Sequence, residues 1–486
     1  MDENKDIVAN HWLLNSEKFF FLGICGIGMS ALAQYIKVYL GKSIIGSDIS
    51  LNNDIVKILT EKNIPIFLES EVSEDMLDSI DIVVVTNIIF TTNTILELAK
   101  KKKKKIVQRS KLLKEILKDK KIIGITGSHG KTSTTGLTIK IFQDAALHPL
   151  GFIGGIMPEF NNNFIEGNSS SLTIIEADEA FKSFLDLDPF YAIITNISTE
   201  HLETYQNLED IENNFLEFTK NTSSNGGIII NIDSIRMKEF VKKIKHPKII
   251  SYGLDETADI RIANISLHKN QSCFDVYKGD KKIETFFLSL PGIHNIKNAT
   301  ASIIVALENN ISLESIKKSL ATHQGVKRRF EFIGTTNEGI SVYDDYGHHP
   351  NEINATLNVL AIKGIEKAYL FFQLHRYSRT EQLWDDFIGT LEQHKDKIAC
   401  LYTTDIYSAG EVAQSHTRTA LDFVVELKNR GINAQYFPQE SCFENFFSYQ
   451  QHINNSLNKE KIIILTLGAG VMNNFAYLVT KKVSNN

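Results

Sequence analysis

A lysine inside a glycine-bracketed turn is suited to phosphate, and Gly127-Ser128-His129-Gly130-Lys131-Thr132-Ser133 has that form. Glycines let the backbone turn tightly and aim N–H groups at oxygen atoms. The helix-like stretch that follows adds partial positive charge at its N-terminus. Lys131 supplies a point charge for β- and γ-phosphates, and the Thr132 or Ser133 hydroxyl can hold Mg2+. The longer form of this loop has glycine where Ile125 stands, so this is a shortened variant.

Other groups fit the same chemistry. Glu176-Ala177-Asp178-Glu179 follows an apolar run over 172–175. A carboxylate at the C-terminal end of a central strand faces the ligand crevice of an α/β sheet, where Glu176 can hold the Mg2+ that bridges β- and γ-phosphates. His201 lies just past the next strand and could ligate a second metal ion or steady the transferring phosphoryl group. Gly292-Ile293-His294-Asn295-Ile296-Lys297-Asn298 opens a helix, with Asn295 expected as its cap and Asn298 one turn on. Their amides offer donor and acceptor to an adenine edge. Arg328 and Arg329 precede the last segment, placed to reach a phosphate on domain closure.

A second glycine turn, Gly23-Ile24-Cys25-Gly26-Ile27-Gly28-Met29-Ser30, sits between an apolar run and a helical pattern, with Asp48 ending the next strand. This is a dinucleotide or nucleotide-sugar arrangement, although Cys25 stands where a dinucleotide fingerprint has glycine. The place of Cys25 in a turn at a helix N-terminus suggests a reactive thiol.

The elements that must position these groups alternate strand and helix. Apolar runs at 19–22, 43–46, 81–86, 122–125, 172–175, 192–195, 228–230, 340–343, 368–372, 398–402 and 462–467 read as strands of parallel sheets. The length of 486 residues suggests about three domains. They are expected at 1–112, 113–325 and 326–486. The composition, 43% hydrophobic and 23% charged, is that of an ordinary globular protein. A net charge of −6 argues against nucleic acid as main partner. The lysines over 100–105 read as a solvated helix end. Four dispersed cysteines with no C-x-x-C pair suggest reduced thiols and a cytoplasmic protein. No apolar stretch is long enough for membrane insertion, and the polar N-terminus has no signal-peptide core.

These pieces, in this order, resemble the Mur ligases of peptidoglycan synthesis, over nearly the whole chain. The distinguishing strings are Gly26 to Ser30, Glu176 to Glu179, Asp344-Asp345-Tyr346-Gly347-His348-His349-Pro350, His375-Arg376-Tyr377-Ser378-Arg379-Thr380 and Asp405 to Glu411. The resemblance implies an α/β protein of three domains: a Rossmann-like N-terminal domain for a UDP-sugar, a central P-loop-type ATPase domain with a parallel sheet, and a Rossmann-like C-terminal domain that brings the amino acid. It implies ATP, UDP-N-acetylmuramate and L-alanine as substrates, Mg2+ as cofactor, and a monomer or homodimer. A recycling ligase that attaches a tripeptide to the same sugar, and a non-catalytic nucleotide-binding regulator, are the alternatives. Lys131, Thr132, Glu176 and His201 match the phosphate and metal groups. His294, Asn295 and Asn298 match the adenine side, and Arg328 the ATP phosphates. Gly26, Gly28, Met29, Ser30 and Asp48 fall on the UDP-sugar side. Tyr346, His348, His375, Arg376 and Arg379 match the amino-acid and acyl side, with His348 a candidate base and the two arginines a clamp for the alanine carboxylate. The chain departs from the family pattern at Ala180-Phe181 (usually Ser-Asp), Glu200 (usually Asp) and Leu374 (usually Pro).

Overall fold

Near-continuous apolar runs become strands covered on both faces, the pattern of parallel sheets. The computed structural model describes residues 11–86, 93–168, 172–198, 204–413, 417–438 and 461–481, arranged around three sheets. The first contains β1 (Lys18–Leu22), β2 (Ser43–Asp48), β3 (Ile66–Leu68), β4 (Ile82–Val85) and β5 (Lys105–Gln108). Its order is β3-β2-β1-β4-β5, parallel throughout. The chain reverses its direction of travel between β1 and β4, so the crevice lies at the C-terminal ends of those strands.

The second sheet holds β6 (Lys121–Thr126), β7 (Leu150–Met157), β8 (Asn162–Ile165), β9 (Leu172–Glu176), β10 (Tyr191–Ile194), β11 (Gly227–Asn231), β12 (Ile249–Gly253), β13 (Ile260–His268), β14 (Gln271–Lys278) and β15 (Lys281–Leu288). Its order is β15-β14-β13-β12-β11-β10-β6-β9-β7-β8. The core from β7 to β12 is parallel, with β6, β9, β10 and β11 where strands were expected and β7 and β12 as additions. The antiparallel β8 was not anticipated, because Asn162 and Asn163 give it a polar start. Nor were β13 to β15, whose alternating burial is that of a half-exposed surface. An expected boundary at residue 112 falls inside the helix Arg109–Leu117, which leads from β5 to β6.

The third sheet contains β16 (Glu331–Thr335), β17 (Ser341–Asp345), β18 (Lys367–Phe372), β19 (Ile398–Thr403), β20 (Ala434–Tyr436) and β21 (Ile462–Leu467), in the order β16-β17-β21-β18-β19-β20. Only β16 runs antiparallel to its neighbour. Two compact units result. One comprises the described residues within 1–264, 274–287 and 297–324, and the other those within 265–273, 288–296 and 325–486.

Inside the first unit, the helix Ile27–Tyr39 packs on β7 and β8 through polar as well as apolar groups. Gln34 and Asn163 are fully buried. Gln34 Nε2 donates to Asn163 Oδ1 (3.2 Å), and Asn162 Nδ2 donates to Gln34 Oε1 (2.9 Å). Asn163 Nδ2 donates to the Ile27 carbonyl (2.6 Å) and the Ser30 hydroxyl (2.9 Å). Tyr39 Oη donates to the Gly167 carbonyl (2.7 Å) and accepts from the Gly167 N–H (2.9 Å). Buried amides need such partners, and here they have them.

Candidate active site

The loop after β6 is shaped by its neighbour β10. Gly127 has φ 127° and Gly130 φ 85°, and any Cβ at Gly127 would stand 2.2 Å from Thr195 Oγ1. Asn196, the second residue past β10, grips the loop. Its carbonyl accepts from the Ser128 N–H (3.0 Å), its Oδ1 from the His129 N–H (3.0 Å), and its Nδ2 donates to the His129 carbonyl (2.9 Å). Thr195 Oγ1 donates to that same carbonyl (2.6 Å), and Ser128 Oγ accepts from the Ser198 N–H (2.8 Å). The amides of Ser128 and His129 are thus spent on the shape of the loop, while the first turn of the helix Lys131–Asp144 offers its own to an anion. Ser133 lies in that turn.

Thr132 and Glu176 meet directly, with Thr132 Oγ1 donating to Glu176 Oε1 (3.0 Å). Glu176 Oε2 accepts from the Gly154 N–H (2.8 Å). A Cβ at Gly154 would lie 2.5 Å from the carboxylate, so any side chain there would displace Glu176. Burial pushes the Glu176 carboxyl above its usual range, against the pull of Lys131. A carboxylate so placed gains from a nearby cation. The donor set, one carboxylate and one hydroxyl, fits Mg2+ completed by phosphate oxygens. Among the described residues no group of three His, Cys, Asp or Glu is placed to hold a metal unaided. His201 and Glu200 lie outside the described residues.

Lys131 Nζ donates to the carbonyls of Gly127 (2.7 Å) and Ser128 (3.1 Å) and to Glu179 Oε1 (2.8 Å). Glu179 was quoted in the acidic string but not singled out by the sequence. The departure at Ala180-Phe181 coincides with left-handed backbone at Phe181 (φ 54°) and Lys182 (φ 59°). Hydrogen bonds hold this turn: Ala180 N–H to Asp178 Oδ1 (3.1 Å), Ser183 Oγ to the Asp178 carbonyl (2.8 Å), and Tyr205 Oη to the Glu179 carbonyl (2.6 Å).

Asn298 lies against the phosphate loop, its Oδ1 2.5 Å from where a Gly130 Cβ would be. The expected capping role of Asn295 is overturned. The helix Ile293–Glu308 begins two residues earlier, and Asn295 Nδ2 donates back to the Pro291 carbonyl (2.8 Å). His294 packs beside Gly292.

At the first glycine turn, the side chains of Met29 and Ser30 are withdrawn from any ligand, at 1% and 0% exposure, by the packing on β8. Only backbone is on offer there. Asp48 is engaged too: Oδ2 accepts from the Cys25 N–H (2.9 Å) and Oδ1 from the Ile49 N–H (2.8 Å). The reactive-thiol expectation for Cys25 is corrected. Burial, aided by the Asp48 charge, pushes its pKa up to about 12. Arg109 was missed. Its Nη1 lies 2.2 Å from where a Gly28 Cβ would be, so the guanidinium rests on the turn because Gly28 has no side chain. Gly26 opens the helix from an extended conformation.

In the second unit, the loops after β17, β18 and β21 converge. The Gly468 N–H donates to the Asp345 carbonyl (3.1 Å), and the Gln373 N–H to the Leu467 carbonyl (3.1 Å). The His348 ring lies 5.4 Å from His375 and 5.2 Å from Tyr346, and His375 stacks on Tyr407 at 5.3 Å. Arg379 Nη1 reaches His375 Nδ1 (3.2 Å). Arg376, at φ 68°, precedes the helix Tyr377–Gln382, so a kink separates it from Arg379, its partner in the expected carboxylate clamp. Burial pushes His348 down to about 4. Its Nδ1 lies 3.0 Å from the Tyr346 carbonyl, which only accepts, so Nδ1 carries the proton and Nε2 is an acceptor. So low a basicity weighs against the candidate base and leaves Nε2 as a hydrogen-bond acceptor.

Arg328 is held within its own unit: Nε donates to Asp344 Oδ2 (3.0 Å) and Nη2 to the Gly468 carbonyl (2.6 Å). That differs from an arginine extended toward a phosphate. Its neighbour Arg329 bonds Glu352 (3.3 Å) beside Tyr346. Tyr407, Arg329 and Glu352 are further residues of this cluster, and Tyr407 lay within a string already noted.

The chain resembles known proteins along almost all of its length. Residues 18–121 match the family model described as Mur ligase family, catalytic domain; 125–306 match Mur ligase middle domain; 328–469 match Mur ligase, glutamate ligase domain. A UDP-N-acetylmuramate–L-alanine ligase of Hydrogenobaculum is 36% identical over 465 residues, 96% of this chain and 98% of that one. One of Aquifex aeolicus is 38% identical over 396 residues, 81% and 85% of the two chains. The crystal structure of UDP-N-acetylmuramate–alanine ligase MurC from Thermotoga maritima superposes with a TM-score of 0.79 at 25% identity, covering 96% of this chain and 99% of that one. With these matches spanning all three sheets, the chain belongs to the Mur ligase family.

Proposed function

We propose that this chain is an ATP-dependent ligase that joins L-alanine to the lactyl carboxylate of UDP-N-acetylmuramate, giving ADP and phosphate, in peptidoglycan precursor synthesis. The observation that carries the chemistry is the Thr132–Glu176 contact beside Lys131 at the start of a helix. The relatives over nearly the full chain carry the substrate assignment. We assign the UDP-sugar to residues 1–112, ATP to 113–325 and the amino acid to 326–486. The buried, unpaired Cys25 and Cys400 accord with a cytoplasmic location.

A carboxylate is a poor electrophile, so the lactyl carboxylate first takes the γ-phosphoryl group of ATP. The alanine nitrogen then attacks the acyl phosphate and phosphate leaves. Negative charge builds up in both steps, and Lys131 with the first-turn amides of its helix stabilises it. Thr132 and Glu176, with His201, would hold Mg2+, which supplies charge neutralisation between the phosphates. Asn298 borders the loop from the adenine side, and Arg109 with the turn at Gly26 and Gly28 receives the diphosphate of the sugar nucleotide. His348 Nε2 accepts from the alanine amino group, Tyr346 flanks the methyl, and Arg376 and Arg379 face the carboxylate. The alanine nitrogen attacks in its neutral form, having first given up its ammonium proton.

The test is phosphate release from ATP, screened with UDP-N-acetylmuramate across single amino acids and the recycled tripeptide. Release that requires both the sugar nucleotide and L-alanine is expected. Release with the tripeptide alone would move the chain to the recycling branch, and none with either would leave a nucleotide-binding regulator.

A further inference from the structure

Lys131 is engaged by its own protein at every donor an ammonium has. Among the described residues its hydrogen bonds go to the carbonyls of Gly127 and Ser128 and the carboxylate of Glu179. The Glu179 side chain is 1% exposed and that of Lys131 12%. To meet a β- or γ-phosphate, Lys131 must give up one of these partners. Glu179 is the partner of the same charge as the phosphate, so the two compete in kind for one ammonium.

We propose that Glu179 is a positioning residue of the nucleotide site: a counter-ion that holds Lys131 against its loop until the terminal phosphates of the nucleotide displace it. The backbone that carries Glu179 suits an exchange. Two and three residues on, Phe181 and Lys182 hold left-handed conformations that residues with a Cβ rarely adopt. They persist because Asp178, Tyr205 and Thr204 bond the turn from several sides. Strain of this kind clusters at segments with two working arrangements. Once Lys131 turns to phosphate, the Glu179 carboxylate loses its cation and the turn is free to relax. Glu176 does not compete in this way, since its oxygens are taken by Thr132 and the Gly154 N–H.

The inference rests on the proposed function only in taking ATP as the ligand. The test is calorimetric binding of ATP and of AMP to the full chain, wild type and E179Q. Removing a charged competitor should tighten ATP binding by about tenfold. AMP, which lacks the β- and γ-phosphates, should bind both proteins equally. A residue of merely structural importance would weaken both. Unchanged or weaker ATP binding in E179Q overturns the proposal, as does an equal change for AMP. E179A carries the same expectation and keeps the test open should the glutamine impair folding. Wild-type protein that binds neither nucleotide would overturn the ATP reading itself, and this inference with it.

Discussion

Two glycine turns, over 23–30 and 127–133, each join a parallel strand to a helix, yet they obtain positive charge differently. The second carries its cation within the motif, as Lys131. The first has none, and borrows Arg109 from the start of the helix that follows β5, laid across Gly28. The second is gripped from outside by Asn196 and Thr195. The first is tied by Asp48, which takes the Cys25 N–H. The lysine-bearing turn is thus self-sufficient in charge but not in shape, whereas the first turn is self-sufficient in neither.

The contrast is sharpest if the two cations fail differently. Lys131→Ala should lower the rate of phosphate release by about a thousandfold, as loss of a transition-state charge does. More than a tenth of the activity remaining would break the assignment. Arg109→Gln should weaken binding of UDP by about thirtyfold, the scale of a lost charge-assisted bond, while uridine binds as before. Equal loss for uridine would show a packing role only.

The glycines give the next contrast. Gly130→Ala faces both a left-handed φ and Asn298 Oδ1, and should cost about 1–2 kcal/mol of stability in thermal melts. Gly28→Ala meets only the far end of a flexible Arg109, so the melt should hardly move while UDP affinity falls about threefold. Equal melting losses would erase the distinction.

The smallest effect concerns Cys25. With its pKa pushed up to about 12 by burial, it should resist alkylation by iodoacetamide at pH 8 in the native protein. Its contribution to stability is fully present below pH 9, where the unfolded thiol also keeps its proton. It is lost as pH rises from 9 toward 12, because only the unfolded state then ionises. Rapid labelling mapped to Cys25 at pH 8 would restore the reactive thiol.

The central parallel strands and the phosphate loop were legible because each announces itself locally, as an apolar run, a glycine or a lysine; β3, β7, β12 and β20, short or interrupted by glycine and polar residues, were not. The capping role given to Asn295 was wrong because a helix can start on the residue after a glycine and leave its asparagine to bond backward. Arg109 and Asn196 were invisible for another reason. Each acts on a loop far away in sequence, and only strand order brings them there. A polar residue just past a fully apolar strand was the available signal for Asn196. Met29 and Ser30 misled in the opposite sense, since a motif position can serve packing. For His348 the sequence showed an imidazole, but burial decides how basic it is.

The amides of Gln34, Asn162 and Asn163 have one more consequence. Greasy surfaces tolerate sliding, because area is much the same after a small shift. Donors and acceptors do not, since a displaced amide in a dry interior loses its partner outright. The helix behind the first glycine turn is therefore keyed to the sheet that carries the second. The distance between the two turns is a dimension written in hydrogen-bond directions rather than in hydrophobic area.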